Sequence, residues 1–246
     1  MKPTILPIAL GLLCVSFTLA PSPKIADSTA VIAGSANLVN VFSITPDAET
    51  IYEAVQLKEY GLTKETFEHA WRGYQYLIEK KKITRASYFT ICDLSKSSLK
   101  KRLYIIDINN NKLVRHTYVA HGKNSGLEYA TSFSNTPESL QTSLGFYITD
   151  QTYIGKHGLS LRLQGVDPGF NDKAMARTIV MHGAAYVSEA RASSGTYMGR
   201  SWGCPAVPEK ESADIITTIK NGTCLFIYHP SKNYLNKSKI LTAPGS

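Results

Sequence analysis

Acidic side chains are scarce in this chain of 246 residues. Asp and Glu together number 19, against 27 Lys and Arg, and the formal net charge is +8. This imbalance favours anionic partners, among them nucleic acid, an anionic membrane surface and a carboxylate-rich cell-wall polymer. Because the sequence also lacks helix-turn-helix, zinc-finger and RNA-recognition motifs, we expect no nucleic-acid partner.

The histidine spacings of metalloenzymes are missing as well. Neither His-x-His nor His-Glu-x-x-His occurs, and no Asp or Glu stands at ligand spacing from His121, His157, His182 or His229. A zinc hydrolase is therefore disfavoured, and we predict that the chain binds no metal.

An unbroken apolar run long enough to cross a membrane is also lacking. The apolar stretch at residues 5–19 contains Pro7 and Gly11, whereas a spanning helix needs about 20 apolar residues without such breaks. With Lys2 before it, this stretch is typical of an export signal, so residues 1–20 are predicted to be a signal peptide. We expect a periplasmic or cell-envelope protein that meets the membrane only through this segment, if it stays uncleaved.

Cysteine is rare, and its count restricts the possible disulfides. Of four cysteines, Cys14 lies in the predicted signal, which leaves Cys92, Cys204 and Cys224. An odd number in an oxidising compartment indicates at least one free thiol. If Cys204 is the free one, Cys92 and Cys224 either form a disulfide or are buried thiols in strands, and the sequence leaves both open.

The stretch at residues 181–208 is the one in which a nucleophile can be assembled. A strand-like run ends at His182-Gly183, a loop of small residues follows, and the loop ends at Gly203-Cys204. A His and a Cys at the two ends of one loop can meet as a thiolate–imidazolium pair, the nucleophile of cysteine acyl-transfer enzymes. Gly203 gives a carbonyl group access to the sulfur, and nearby backbone N–H groups predict an oxyanion hole. The alternative is a buried structural cysteine near an unrelated histidine.

Residues 47–85 have the period of helices. Asp47 is a predicted N-cap for a helix through residue 60, and Thr63 is the predicted cap of a second helix that ends at residues 80–82. The second helix has an aromatic and aliphatic face. We predict that this face docks on the main domain, with sugar binding as the alternative.

From Ser87 onward the period changes to two, which predicts a mainly β (α+β) domain at residues 86–230. The predicted strands are 88–92, 102–108, 113–120, 144–149, 159–163, 178–181 and 223–228. One late helix is predicted at residues 209–220, so the expected fold is a β-sandwich or open barrel. Residues 21–46 are predicted to be a linker, and residues 231–246 an exposed, flexible tail.

Several stretches around the His–Cys loop combine into a family pattern. His182-Gly183 is followed by Ser201-Trp202-Gly203-Cys204, and TSLGFYI stands at residues 142–148. Further matching stretches are YVAHG at 118–122, YATSFSN at 129–135 and GKHGLSL at 155–161. Over roughly residues 47–229 the chain resembles the murein L,D-transpeptidases of the YkuD-like group, specifically a divergent branch of it.

This resemblance implies an L,D-transpeptidase-like fold and an activity that needs no metal or organic cofactor. His182 would take the proton of Cys204, and the thiolate would attack the carbonyl before the D-amino acid of a peptidoglycan stem tetrapeptide. D-Ala would leave, and the thioester would pass to an amine in transpeptidation, or to water in an L,D-carboxypeptidase reaction. Gly203 would supply an oxyanion-hole N–H, and Ser201 would orient the loop. Carbapenem β-lactams are implied as covalent inhibitors.

Two positions depart from the pattern of most family members. Trp202 stands where most have His, and Ala206 stands where many carry a polar residue that helps to hold the substrate. The usual substrate contacts are therefore not carried over. The residues that we predict to contact the substrate instead are Arg200, Trp202, His121, His157 and Tyr197.

Other classes of protein fit the sequence less well. Wall-cleaving NlpC/P60 peptidases place Cys before His, and in caspase-like enzymes the Cys ends an apolar strand, which residues 199–203 do not form. The alternative from a different class is a non-catalytic wall-binding module with a vestigial Cys–His pair. The intact His-Gly and Gly-Cys elements disfavour it.

Overall fold

The computed structural model describes residues 47–243, so the predicted signal peptide and linker lie outside the described residues. Within this range eight strands form one mixed sheet, and the predicted mainly β class is confirmed. No helix of the described range has both the length and the apolar character of a membrane span.

The elements in chain order begin with two helices and continue mostly as strands. The helices are α1 (Ala48–Ala54), α2 (Lys64–Glu79), α3 (Glu189–Ser193), α4 (Glu209–Ile219) and α5 (Lys232–Lys237). The strands are β1 (Tyr88–Asp93), β2 (Leu103–Asp107), β3 (Lys112–Thr117), β4 (Gly145–Gly155), β5 (Gly158–Gly165), β6 (Val180–Ala184), β7 (Ala206–Pro208) and β8 (Cys224–Tyr228).

The sheet runs in the order β3-β2-β1-β8-β4-β5-β6-β7. Neighbouring strands are antiparallel except for the pairs β1–β8 and β6–β7, which are parallel. All five residues of β8, at the centre of the sheet, are buried. Since side chains of a strand alternate between the two faces, both faces are covered there.

Helix α2 docks on the sheet, as its apolar face predicts. Phe67, Trp71 and Tyr74 are buried, and Tyr74 stacks on Phe89 of β1 with ring centroids 4.7 Å apart. Both predicted caps are present. The Asp47 carboxylate accepts from Thr50 N–H at 2.7 Å, and the Thr63 hydroxyl accepts from the N–H of Thr66 at 3.2 Å. The N-terminal segment therefore belongs to the main core.

The first helix is shorter than predicted. It ends at Ala54, because Gln56 has a left-handed φ of 57°, and residues 55–61 form turns instead. Strand β7 and helices α3 and α5 were not predicted, so α4 is not the only helix after β1. All three elements are six residues or shorter, and a periodicity cannot be recognised over that length.

The predicted exposed tail is wrong for residues 231–243. Ser231 caps α5, Tyr234 is fully buried, and its hydroxyl donates to Asp167 Oδ2 at 2.8 Å. Ser238 donates to the same carboxylate at 2.8 Å, and Leu241 is buried as well. A few anchors in a polar sequence are enough to dock this segment.

Cys92 and Cys224 are both buried and both free. They lie on the parallel neighbours β1 and β8, where Phe89 pairs with Cys224 and Cys92 pairs with Ile227. The two cysteines are thus offset by three residues, or about 10 Å along the strands. This exceeds the Cα separation of about 7 Å that a disulfide tolerates, which settles the open alternative in favour of free thiols.

Candidate active site

A cavity of about 760 Å³ contains both ends of the His–Cys loop. Its walls come from the loop before β4, the β4–β5 hairpin, the start of β6 and the segment before β7. Its lining residues include Glu138, Tyr153, Lys156, His157, Arg177, Thr178, Val180, His182, Tyr186, Arg200, Ser201, Trp202 and Cys204.

The parallel pairing of β6 and β7 brings the two ends of the loop together. His182 on β6 pairs with Ala206 on β7, so Cys204 comes two residues before the position opposite His182. The Cys204 Sγ accepts from the N–H of Val180 at 3.5 Å, and the thiol faces Thr178 O at 3.9 Å. The sulfur is thus held against the first residues of the strand that carries the histidine.

The hydrogen bond of His182 fixes its tautomer. Its Nδ1 lies 2.9 Å from Gly183 O, and a carbonyl only accepts, so Nδ1 carries the hydrogen. In the neutral ring Nε2 is then unprotonated and free to take a proton. The hydrogen-bond partners of the Cys204 thiol in the described residues are Val180 and Thr178. Cys204 and His182 therefore share one cavity without a direct hydrogen bond between them.

Ser201 and Gly203 shape the backbone on which Cys204 sits. The Ser201 hydroxyl donates to Cys204 O at 2.6 Å, and the Gly203 N–H donates to Ser201 Oγ at 3.1 Å. This second bond contradicts the predicted use of the Gly203 N–H in an oxyanion hole, because that donor is committed within the loop. Gly203 has a φ of +124°, and a Cβ there would lie 2.8 Å from Gln141 O, so only glycine fits.

His121, which was predicted to contact substrate, does not line the cavity. It is buried, its Nδ1 accepts from Arg102 Nη2 at 2.8 Å, and its Nε2 lies 3.4 Å from Gly126 O. Burial, with the nearby Arg102, lowers the pKa of His121 to about 4. This histidine satisfies buried polar groups, and the prediction of a substrate contact was wrong.

Tyr197 is likewise outside the cavity lining, but it supports a residue that lines it. The Arg200 guanidinium lies over the Tyr197 ring, 5.3 Å from its centroid. Arg200 Nη1 donates to Lys123 O at 2.9 Å and to Gly126 O at 3.2 Å. The hydrogen bonds of one guanidinium nitrogen therefore hold Arg200 in the cavity wall. Tyr197 supports Arg200 from outside the cavity.

His157 and Trp202, which were predicted to contact substrate, line the cavity. The exposed His157, at the tip of the β4–β5 hairpin, stacks on His182 with ring centroids 4.3 Å apart and an interplanar angle of 19°. Trp202 is 76% exposed, two residues before the nucleophile. The His157 ring thus covers His182, and the Trp202 ring forms an exposed apolar part of the cavity wall.

Comparison with known proteins identifies the family. A family profile described as L,D-transpeptidase catalytic domain matches residues 58–228. The chain belongs to this family. A search of curated proteins found no match.

Solved structures similar to this L,D-transpeptidase-family chain are distant. One is an L,D-transpeptidase from Mycobacterium smegmatis, 12% identical over 58% of this chain and 59% of that one, with a TM-score of 0.35. Another is L,D-transpeptidase 3 from Mycobacterium tuberculosis in complex with a faropenem-derived adduct, 9% identical over 58% and 60%, with a TM-score of 0.37. In both cases this chain spans less than two thirds of the other protein.

The electrostatics of Cys204 and His182 differ from the predicted ion pair. Burial raises the pKa of Cys204, against the Val180 N–H and the charge of Arg177, which lower it. Burial also lowers the pKa of His182, and His157 adds to that effect. At neutral pH the resting pair is therefore a thiol and a neutral imidazole, and not a thiolate and an imidazolium.

Two further residues of the cavity lining are Tyr186 and Arg177. Tyr186 packs against the loop that ends at Cys204, because a Cβ at Gly199 would lie 2.5 Å from its Cβ. Arg177 lies beside Gly203 and is half-buried. An arginine in a polar turn before a strand is ordinary in sequence, and only the tertiary contacts single it out.

Proposed function

We propose that this chain is a cysteine acyl-transferase of the L,D-transpeptidase type that acts on peptidoglycan stem tetrapeptides. The observation that carries the proposal is the shared cavity, in which Cys204 lies on the loop that returns to the histidine strand and His182 offers an unprotonated Nε2. Membership of the L,D-transpeptidase family supports the reaction class.

In the proposed first half-reaction, Cys204 Sγ attacks the carbonyl carbon before the terminal D-residue while His182 Nε2 takes the thiol proton. The tetrahedral oxyanion is stabilised by the N–H of Cys204, since that of Gly203 is engaged by Ser201. The C–N bond then breaks, the imidazolium returns its proton to the leaving amine, and D-Ala departs. A thioester on Cys204 remains.

In the proposed second half-reaction, an acceptor amine attacks the thioester carbonyl and His182 takes a proton from that amine. The C–S bond breaks, and the thiolate recovers the proton from the imidazolium. The result is a new amide and the resting thiol. Water in place of the amine would yield a carboxylate and a trimmed tripeptide.

The charges around the cavity support a substrate with free carboxylates. Lys156, Arg177 and Arg200 line it, with Glu138 as the acidic residue among the lining side chains. Such a field raises the local concentration of anionic substrates. Because peptidoglycan lies outside the cytoplasm, we also propose that the protein is exported. We further propose that carbapenems acylate Cys204.

Mass spectrometry of the full chain with a disaccharide tetrapeptide tests the proposal. We expect a transient thioester on Cys204, followed by a cross-linked dimer when an acceptor amine is present and by a tripeptide when it is not. Cys204→Ala and His182→Ala should abolish the adduct at neutral pH. Cys92→Ala is the matched control, because Cys92 is a buried thiol of β1 outside the cavity, and its adduct should persist.

The products separate the alternatives. Tripeptide alone, even with excess amine, would make the protein an L,D-carboxypeptidase. No adduct, together with wall binding that survives Cys204→Ala, would mean a non-catalytic binding module and would overturn the proposal.

A further inference from the structure

Arg177 is fixed in place by neutral acceptors. Its Nη1 donates to Ser134 O at 2.8 Å and to Ser143 Oγ. Its Nη2 donates to Gln141 O at 2.8 Å and to Ser139 Oγ at 3.1 Å. These bonds engage all four Nη–H groups of the guanidinium. The Arg177 guanidinium is therefore not free to bind a substrate carboxylate through these groups, although the side chain lines the cavity.

The charge of Arg177 has no carboxylate partner in the described part of the chain. The ion pairs of residues 47–243 join other side chains, namely Lys64–Glu49, Lys80–Glu79, Arg115–Glu211 and Arg115–Asp214. The Arg177 Nε–H is moreover buried without a hydrogen-bond acceptor. A half-buried cation that lacks an anion costs free energy, and such costs are concentrated at functional sites.

The unpaired guanidinium lies beside the nucleophile. A Cβ at Gly203, the residue before Cys204, would lie 3.3 Å from Arg177 Nη2. On the other side, Thr178 directly follows Arg177 and contributes the carbonyl that the Cys204 thiol faces. The positive charge of Arg177 is accordingly one of the causes that lower the pKa of the thiol against burial.

We propose that Arg177 is a positioning residue whose fixed charge stabilises the anion that develops on Cys204 Sγ when His182 removes the thiol proton. The proposal rests on the assignment of Cys204 as the nucleophile. The same four bonds hold the wall at residues 134–143 against Gly203, since Gln141 O accepts from Arg177 and also limits the room at Gly203. One side chain thus sets both the charge and the shape of the site next to the sulfur.

Other charged or titratable groups line the same cavity as the thiol or lie behind it. These charged or titratable groups are Glu138, Tyr153, Lys156, His157, His182, Tyr186 and Arg200 in the cavity lining, and Tyr147 behind it. They stay unchanged when only Arg177 is substituted, so differences between the wild type and the Arg177 variants report on position 177.

The test is the pH dependence of Cys204 alkylation by iodoacetamide in the full chain, between about pH 6 and pH 10, followed by mass spectrometry of the Cys204 peptide. Arg177→Gln removes the charge, and we expect alkylation about tenfold slower at neutral pH, with an apparent pKa about one unit higher. Arg177→Lys keeps the charge but not the guanidinium, and we expect a rate within about threefold of the wild type. Ser143→Ala removes one hydrogen bond of Arg177 but no charge, and its alkylation rate should also stay within about threefold of the wild type.

Thermal unfolding of each variant separates charge from fold. A folded Arg177→Gln protein with the wild-type pH profile would overturn the proposal, and so would Ser143→Ala alkylating as slowly as Arg177→Gln. If Arg177→Gln does not fold, Arg177→Lys decides: the wild-type profile supports the proposal, and a tenfold loss overturns it. Alkylation needs no peptidoglycan, so its result does not depend on whether the proposed substrate is right.

Discussion

At the scale of single residues, the site holds Cys204 as a thiol and His182 as a neutral imidazole. Burial raises the pKa of Cys204 and lowers that of His182, and neither shift is reversed by the charges around them. In the proposed reaction, proton transfer must then accompany the attack on the carbonyl, which is general-base catalysis. We therefore expect the proposed activity to need a neutral His182 and to fall as the pH drops through the pKa of that imidazole.

Gly203 is the residue whose substitution tests the loop geometry most directly. Gly203→Ala would strain a backbone with φ +124° and place a Cβ 2.8 Å from Gln141 O. The loop must shift, and a displacement of about 1 Å at a nucleophile costs about 100-fold in rate. We expect a loss of that order in thioester formation with the disaccharide tetrapeptide, measured by mass spectrometry.

Gly169→Ala is the control for this substitution. Gly169 has a φ of +84°, and nothing lies within 4 Å of a Cβ built there, so it carries backbone strain without a clash and does not line the cavity. Its thioester formation should match the wild type. Wild-type rates for Gly203→Ala would show that the loop before Cys204 tolerates a side chain.

Substitution of His157 should shift the acid limb of the pH–rate profile. Its ring covers His182, and both the burial of His182 and the nearby His157 lower the pKa of His182. His157→Ala weakens both effects, so the pKa of His182 should rise toward its ordinary value. The acid limb of kcat/KM should move to higher pH. His157→Phe keeps the cover and should shift the limb less; equal profiles for wild type and His157→Ala would contradict this.

Part of the site could be predicted from sequence because it is local. His182 and Cys204 are the ends of one loop, and their spacing shows it. His121 and His157 look alike in sequence, since each is followed by Gly, yet one binds Arg102 in the interior and the other stacks on His182. That difference, like the position of Arg177, is decided by contacts between distant segments, which no local pattern encodes.

At the scale of elements, the short runs rich in apolar and β-branched residues predicted most strands, although β6 and β8 are buried on both faces and show no alternation in burial. Prediction failed where an element is too short to show a period, as in β7 and α5. Helix α5 is held by a buried carboxylate as well as by a single buried ring: Asp167 accepts from both Tyr234 and Ser238, and the Tyr234 ring contacts Phe170. The docking of this segment was therefore invisible to patterns of hydrophobicity.

Asp167 gives this C-terminal contact a pH dependence. Burial raises its pKa from 3.8 to about 6, against the hydrogen bonds of Tyr234 and Ser238, which lower it. A raised folded-state pKa favours the folded protein below the unfolded value, and that contribution is lost as the pH rises through about 6. The loss for the Asp167 side chain between about pH 4 and pH 7 is on the order of 3 kcal/mol.

Asp167→Asn removes this titration, and its amide oxygen still accepts a hydrogen bond. We expect the free energy of unfolding of the wild type, relative to this variant, to decrease from about pH 4 to pH 7. Urea unfolding at both pH values measures it. A difference that stays constant with pH would show that the carboxyl is not titrating in this range.

At the scale of the whole molecule, the N-terminal helices and the β domain form one folding unit. The sequence separates a helical segment at residues 47–85 from the strands, but α2 contributes Phe67, Trp71 and Tyr74 to the same core as β1 and β8. The backbone of α2 comes close to β4 at Gly73, where a Cβ would lie 2.0 Å from the Phe146 ring. Phe146 is fully buried and stacks on Phe226, so it cannot move aside freely.

Gly73→Ala tests this single core, because two effects on it have opposite signs. In an isolated helix the change would stabilise α2 by about 1 kcal/mol. In the packed molecule the added methyl meets three ring atoms of Phe146 within 2.6 Å, and overpacking of this kind costs about 1–3 kcal/mol. We expect a net decrease in the free energy of unfolding, measured with urea. Probes of the helix and of the sheet should report the same decrease. Arg72→Ala, at the exposed neighbouring position of α2, should stay within about 0.5 kcal/mol of the wild type. A more stable Gly73→Ala protein would mean that α2 can separate from β4 at little cost, and that the helices are an appendage after all.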